Sequence, residues 1–229
     1  MTYYNRLFIY LFSTALTLIL IHYSDLDLKF QHLFFDEQNK QWLIDKDNQP
    51  IKYIFYKLPK YFIIAYGIIL LITLITLRIN NQKIYLQKKI LFLTAALILT
   101  PLTVAILKHY SPINCPVHIK EFGGGGLYIS PLDIFNNSTF FNNSGKCFPA
   151  GHASGGFSLI SLFFVIEDKK YKYISLLGSI ILGFTMGLYQ IAKGAHFLSD
   201  TIFTMSIAFL ICISLKEIIF SSKKNNKKH

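Results

Sequence analysis

Residues 90–107 read ILFLTAALILTPLTVAIL, eighteen positions without one charge. Coiled into a helix at about 1.5 Å per residue, such a run nearly crosses the roughly 30 Å hydrocarbon core of a bilayer. A soluble domain has no use for it, so the chain reads as a membrane protein. Working outward, comparable apolar runs occupy 7–24, 61–77, 148–166, 173–192 and 197–215, in a chain of 229 residues that is 52% hydrophobic. The expected fold is all-α: a polytopic membrane protein, a six-transmembrane-helix bundle with a periplasmic lid loop, forming one domain over 1–229.

The runs at 148–166 and 197–215 differ from the others because polar residues stand in their first turns. Lipid-facing helices avoid such residues, whereas helices lining a protein-walled cavity tolerate them. The first run follows Arg6, as in a signal peptide, but no small-residue cleavage pattern precedes Asp25, so it reads as a retained helix. Six spans put both termini on one side. That side, with 1–6, 78–89, 167–172 and the tail 216–229, holds 13 Lys/Arg against 3 Asp/Glu, and the other side 10 against 9. The asymmetry matches the positive-inside rule and accounts for most of the net charge of +11. It therefore argues against nucleic acid as a partner, and for a basic cytoplasmic tail attracted to anionic membrane lipids.

Two long outer loops remain. Residues 25–60 place Phe30, Leu33 and Phe34 at helical spacing, with Trp42 beyond; this suits either an amphipathic interfacial segment or a solvated loop with an apolar patch. Residues 109–147 carry Gly123-Gly124-Gly125-Gly126, several prolines and an Asn/Ser-rich stretch at 136–144, and read as a lid. The glycine run suits a flexible bend better than a phosphate cradle. Asn-x-Ser/Thr triplets such as Asn142-Asn143-Ser144 match glycosylation acceptors only formally. Cys115 and Cys147 stand at opposite ends of this lid and suit a disulfide if the outer face is oxidising, with two buried free thiols as the alternative; Cys212 reads as packing.

The chemistry gathers in two histidine segments, Pro149-Ala150-Gly151-His152 and Gly194-Ala195-His196-Phe197-Leu198-Ser199-Asp200. His196 and Asp200 are four apart. On one helix face the carboxylate would accept the imidazole Nδ1 proton and free Nε2 to attack. His152 opens another helix, Lys108 closes a third, and Gly151 brings backbone N–H groups to a helix N-terminus, where anions bind. All lie at one level of the expected bundle, so the expected ligand is a phosphate group. A metal site of His152, His196 and Asp200 is the weaker reading, because no short metal-binding motif accompanies them.

At these residues the chain resembles the type 2 phosphatidic acid phosphatase superfamily. That family carries Lys-x6-Arg-Pro, Pro-Ser-Gly-His and Ser-Arg-x5-His-x3-Asp. Here the corresponding segments are Lys108-x6-Cys115-Pro116, Pro149-Ala150-Gly151-His152 and Tyr189-Gln190-x5-His196-x3-Asp200. Cys115, Ala150 and Gln190 depart from the pattern and remove two cations and a hydroxyl. A bacterial branch with Cys-Pro in the first motif is similar, and places a basic residue three before the histidine, the position of Lys193 here. The resemblance implies a cofactor-free, metal-independent hydrolysis of a lipid phosphate or pyrophosphate. His196 would be the nucleophile, Asp200 its orienting carboxylate and His152 the acid and base. Lys108, Lys193, Gly151 and Gln190 would hold the phosphoryl group.

The same residues leave room for a lipid-to-lipid phosphotransferase, or for a non-catalytic lipid-binding or transport protein. Charge asymmetry with a site at the outer ends of the spans suits the inner membrane of a bacterium, the active site facing the periplasm. Lipid A phosphates, undecaprenyl pyrophosphate and glycerophospholipid phosphates all fit as substrates.

Overall fold

The computed structural model describes residues 3–133 and 145–220. The Asn-rich stretch from 136, the triplet Asn142-Asn143-Ser144 and the tail from 221 onward lie outside the described residues. Helix α1 (Tyr3–Tyr23) is followed by short α2 (Leu26–His32), the axes bent by 63°. A two-stranded hairpin comes next, β1 (Phe35–Asp36) against β2 (Gln41–Trp42), antiparallel with Phe35 opposite Trp42. Helix α3 (Gln49–Lys52) runs through a π-helical turn, Tyr53–Lys57, into α4 (Leu58–Ile79). Then come α5 (Ile84–His109), α6 (Gly151–Ser158), α7 (Ser161–Val165), α8 (Lys169–Ala192) and α9 (Leu198–Phe220).

Among the described residues, four helical stretches are long and apolar enough to cross a membrane: Gln49–Ile79, Ile84–His109, Lys169–Ala192 and Leu198–Phe220; the bent pair α1–α2 makes a fifth if counted as one span. They carry the runs expected at 61–77, 90–107, 173–192 and 197–215. The run expected at 148–166 behaves differently. It forms α6 and α7 with a break at Leu159 and Ile160, and its helical length, Gly151–Val165, falls short of a span.

That short element is tolerated because protein surrounds it. Helix α6 packs against α5, α8 and α9, and Phe157 on it and Ile160 in the break after it enter a core shared with Phe92, Ala96, Met186 and Ala208. Gly156 approaches α8 so closely that a Cβ there would meet the Gly183 backbone at 2.7 Å. Small residues at such crossings let helices close where lipid offers no hydrophobic drive. Large apolar side chains such as Phe12, Ile68, Ile72, Leu177 and Ile181 point outward, as lipid contact requires.

The long loop at 25–60 folds into α2, the hairpin and α3 rather than staying an open loop. Helix α2 buries its polar residues Asp27 and Gln31 and leaves Leu33, just beyond it, exposed. The hairpin then folds over the turn between α8 and α9. Trp42 lies where a side chain on Gly194 would be, 2.4 Å from a Cβ built there, and Ile44 N–H donates to the Ala192 carbonyl at 3.2 Å. A second aromatic cluster, Phe35, Phe122 and Phe197 with Trp42 and Tyr128, joins both outer loops above the site.

Candidate active site

Helix α8 ends at Ala192, and Gly194 takes a positive φ of 74°. Glycine is the residue that reverses a helix end this way at no steric cost. The Gly194 and Ala195 N–H groups return to the Ile191 and Gln190 carbonyls, both at 2.9 Å, which closes the turn and sets His196 just before α9. His196 therefore is not on the helix, contrary to the expectation from its spacing. Asp200 sits in the first turn of α9 and reaches back, its Oδ2 accepting from Phe197 N–H at 3.0 Å and lying 3.0 Å from His196 Nδ1. This resembles a capping box, in which the third helical residue satisfies an N-terminal donor. With Nδ1 donating to the carboxylate, Nε2 is the free imidazole nitrogen.

Helix α6 supplies the second histidine. Its start is tied to α9: Ala150 N–H donates to the Asp200 carbonyl at 3.3 Å, and the Thr204 hydroxyl bonds the Ala150 and Asp200 carbonyls at 3.2 and 2.8 Å. The rings of His152 and His196 come within 6.4 Å between centroids. His196 and Asp200 are fully buried, while His152 is half-buried with its Nδ1 unpartnered among the described residues. Lys108, in the last turn of α5, runs beside Gly151, its Cδ 4.0 Å from where a Cβ would stand. The first N–H groups of α6 are unpaired by helix geometry and carry its positive dipole end, so cation and amides share one place.

Lys193 lies in the α8–α9 turn with its Nζ 5.1 Å from the Tyr189 ring centroid. Both Lys108 and Lys193 act electrostatically on His152, and so does Lys60 of α4. Gln190 is buried and contributes its carbonyl to the turn. The structure thus gathers His152, His196, Asp200, Lys108 and Gly151 around one place, with Lys193 at its edge. An apolar cavity of about 420 Å³ opens from His152 and Gly151 along Ile63, Gly67, Leu97 and Pro101.

Cys115 and Cys147 are joined, with Cα atoms 5.1 Å apart. Cys147 sits against the site, its sulphur 2.8 Å from the Ala195 carbonyl and 3.8 Å from His196 Nδ1. Ligand atoms of Cys147, His196 and Asp200 fall within 4.8 Å of one another, a spacing that suits a metal ion. The donor set does not fit one, because a disulfide sulphur is no thiolate and Nδ1 already faces the carboxylate. His152 stands outside that group. The glycine run is a bend: Gly123 has φ 87°, and the Gly124 and Gly126 amides return to the Ile119 and His118 carbonyls at 2.8 Å, so they do not form a phosphate cradle.

Three residues near the site had no signal in the sequence. Tyr56 and Lys60 come from before the histidine motifs and reach His152 only through the fold. Asp27 of α2 is 1% exposed, its Oδ1 accepting from Ser199 N–H at 2.8 Å and its Oδ2 lying 3.4 Å from the Tyr128 hydroxyl. It caps α9 from a distant part of the chain, beside Asp200. Asp27 lies past the 63° bend that follows α1, and burial pushes the carboxyl up to about 6. Burial, then the neighbouring Asp27 charge, also raises the Tyr128 phenol, so it stays a donor.

No curated protein and no solved structure shows a significant match to the chain. The family model described as the PAP2 superfamily matches residues 89–224, a stretch that runs from within α5 past the end of α9 and includes both histidine segments. The match spans more than half of the sequence, and the chain belongs to the PAP2 superfamily, phosphatases that act on phosphate esters.

Proposed function

We propose that the protein removes a terminal phosphate from a membrane lipid by a two-step, metal-independent hydrolysis. His196 Nε2 attacks phosphorus and forms a phosphohistidine, while Asp200 holds the ring and stabilises its positive charge. His152 gives its proton to the leaving oxygen and then takes one from water, which cleaves the P–N bond and restores His196. Lys108, the Gly151 amide and Lys193 stabilise the equatorial oxygens as charge spreads in the transition state, and Gln190 adds a neutral contact.

One observation carries this reading. Two imidazoles lie 6.4 Å apart, His196 braced by a buried carboxylate and His152 lining an apolar cavity. A phosphorylated headgroup fits the polar end and a lipid chain the apolar end. The charge asymmetry of the loops supports a bacterial inner membrane with the site on the periplasmic side. Lipid A phosphates, undecaprenyl pyrophosphate and glycerophospholipid phosphates are the substrates to try.

Purified protein in detergent, given a panel of lipid phosphates in excess chelator, is expected to release inorganic phosphate from at least one, and His196→Ala protein from none. Release by His196→Ala, or phosphate appearing only on a second lipid, would overturn the hydrolase reading.

A further inference from the structure

The turn leading into α4 is π-helical over Tyr53–Lys57. Such turns recur at functional sites, because the extra residue re-aims the side chains that follow. Here Tyr56 meets His152 edge to face with ring centroids 4.7 Å apart, and Lys60, one turn later, sets its Nζ 5.7 Å from the Tyr56 ring centroid. The neighbouring Phe55 stacks on Tyr189 at 6.4 Å. Tyr189 is 3% exposed, and its hydroxyl has no partner among the described residues. A buried, unsatisfied hydroxyl costs free energy unless a ligand meets it. Tyr56 and Lys60 also precede the family-matched stretch, which begins at residue 89.

Lys60 occupies a particular place along the cavity. It lines the cavity with His152 and Gly151, and Ile63 and Gly67 follow it along α4, so the cation stands where a headgroup gives way to an apolar chain. His152 gives its proton to the leaving oxygen, so a cation beside His152 faces the leaving group. A simple monoester leaves as a neutral alcohol once His152 supplies the proton, and offers Lys60 no charge. A diphosphate leaves as an anionic lipid monophosphate.

We propose that Lys60, steered by the Tyr56 ring, forms an anion-binding position beside His152 and selects a lipid diphosphate as substrate. The inference rests on His196 as nucleophile and on the cavity as the chain site. The His196 Nε2–P bond to the outer phosphorus forms as the bond from that phosphorus to the bridging oxygen breaks. The electron pair stays on the bridging oxygen, which takes the His152 proton, and Lys60 holds the inner phosphate as it departs. Water, losing a proton to His152, then splits the P–N bond to give inorganic phosphate. The cation–π contact lets the ammonium stay ordered without a carboxylate partner that would compete with the substrate.

The test uses full-length protein in detergent with a prenyl diphosphate and the monophosphate of the same prenyl chain. The ratio of kcat/KM for diphosphate over monophosphate is expected to fall by about tenfold or more in Lys60→Ala, the scale of one charge-assisted hydrogen bond, and to be largely retained in Lys60→Arg. Tyr56→Leu is expected to lower the ratio in part, and Tyr56→Phe, which keeps the ring, to retain it. Lys60 is exposed, so its variants keep the fold, and Tyr56→Phe controls for packing at the half-buried Tyr56. An unchanged ratio in Lys60→Ala, whether both activities hold or both fall together, overturns the inference. His196→Ala separates the two failures: if it releases phosphate, the nucleophile reading fails; if it is inactive while the Lys60 ratio stands still, only the role of Lys60 fails.

Discussion

At the scale of single residues, the proposed mechanism divides the site into groups that make and break bonds and groups that hold charge. His196→Ala should abolish phosphate release and His152→Ala nearly so. Asp200→Asn should lower kcat by several orders of magnitude, because an amide no longer fixes the tautomer that leaves Nε2 free. Measurements on folded protein check all three, and near-normal turnover in Asp200→Asn would contradict the role given to the carboxylate. Lys193 tests the cation inventory. The family's first- and third-motif arginine positions hold Cys115 and Gln190 here, one in a disulfide and the other buried. If Lys193 stands in for a lost arginine, Lys193→Ala should reduce kcat/KM about tenfold or more, and Lys193→Arg should restore part of it. The residue pattern offered His152, His196, Asp200, Lys108 and Gly151 as candidates because motif spacing survives in a linear string. Lys60 and Asp27 could not be seen there, since a lysine near a helix start and an aspartate in a loop are ordinary until the chain folds.

At the scale of elements, the start of α9 decides whether the catalytic pair is in place. Asp200 and Asp27 both bring carboxylates to that helix N-terminus, where the dipole favours negative charge. Asp27→Ala would leave the Ser199 N–H unpaired, costing about 1 kcal/mol or more. Asp27→Asn keeps an acceptor and removes the titration. The folded carboxyl is raised from 3.8 to about 6, so its contribution to stability is present in acid and lost as pH rises through the upper value. The groups facing it are the Ser199 amide, the Tyr128 hydroxyl and the Asp200 carboxylate. Thermal unfolding in detergent should therefore show a decline in Tm over that window that is shallower in Asp27→Asn; equal slopes would rule Asp27 out as its source. Helix α6 is short for a physical reason as well. Its glycines allow close packing on α8 but do not fill a bilayer, and a hydropathy reading of 148–166 counts apolar residues without registering the break at Leu159 and Ile160.

At the scale of the whole molecule, two outer loops close over one end of the bundle. The disulfide closes a loop spanning 32 positions between Cys115 and Cys147, worth about 3 to 4 kcal/mol in the chain-entropy model. It also links the first-motif proline to the residue touching His196. Cys115→Ser should lower Tm and reduce activity together, through lid and site at once. Intact-mass analysis after alkylation without reductant should show a single labelled thiol at most, that of Cys212; labelling of Cys115 and Cys147 in native protein would show that the bond is absent. The apolar exterior of α1, α4 and α8 needs lipid or detergent, and the hairpin over Gly194 ties the N-terminal half to the catalytic turn.

Hydropathy and motif spacing, by themselves, determined that this is a helical membrane protein with two histidines and a carboxylate, because burial in lipid and helix periodicity both act on neighbours in sequence. Tertiary structure decided the rest. It placed His196 ahead of its helix, turned a span-like run into two short helices walled by protein, and brought Asp27, Tyr56 and Lys60 near histidines more than ninety residues away in the chain. Those outcomes depend on close approach between segments remote from one another, and contact energies of that kind leave no periodic trace in a linear sequence.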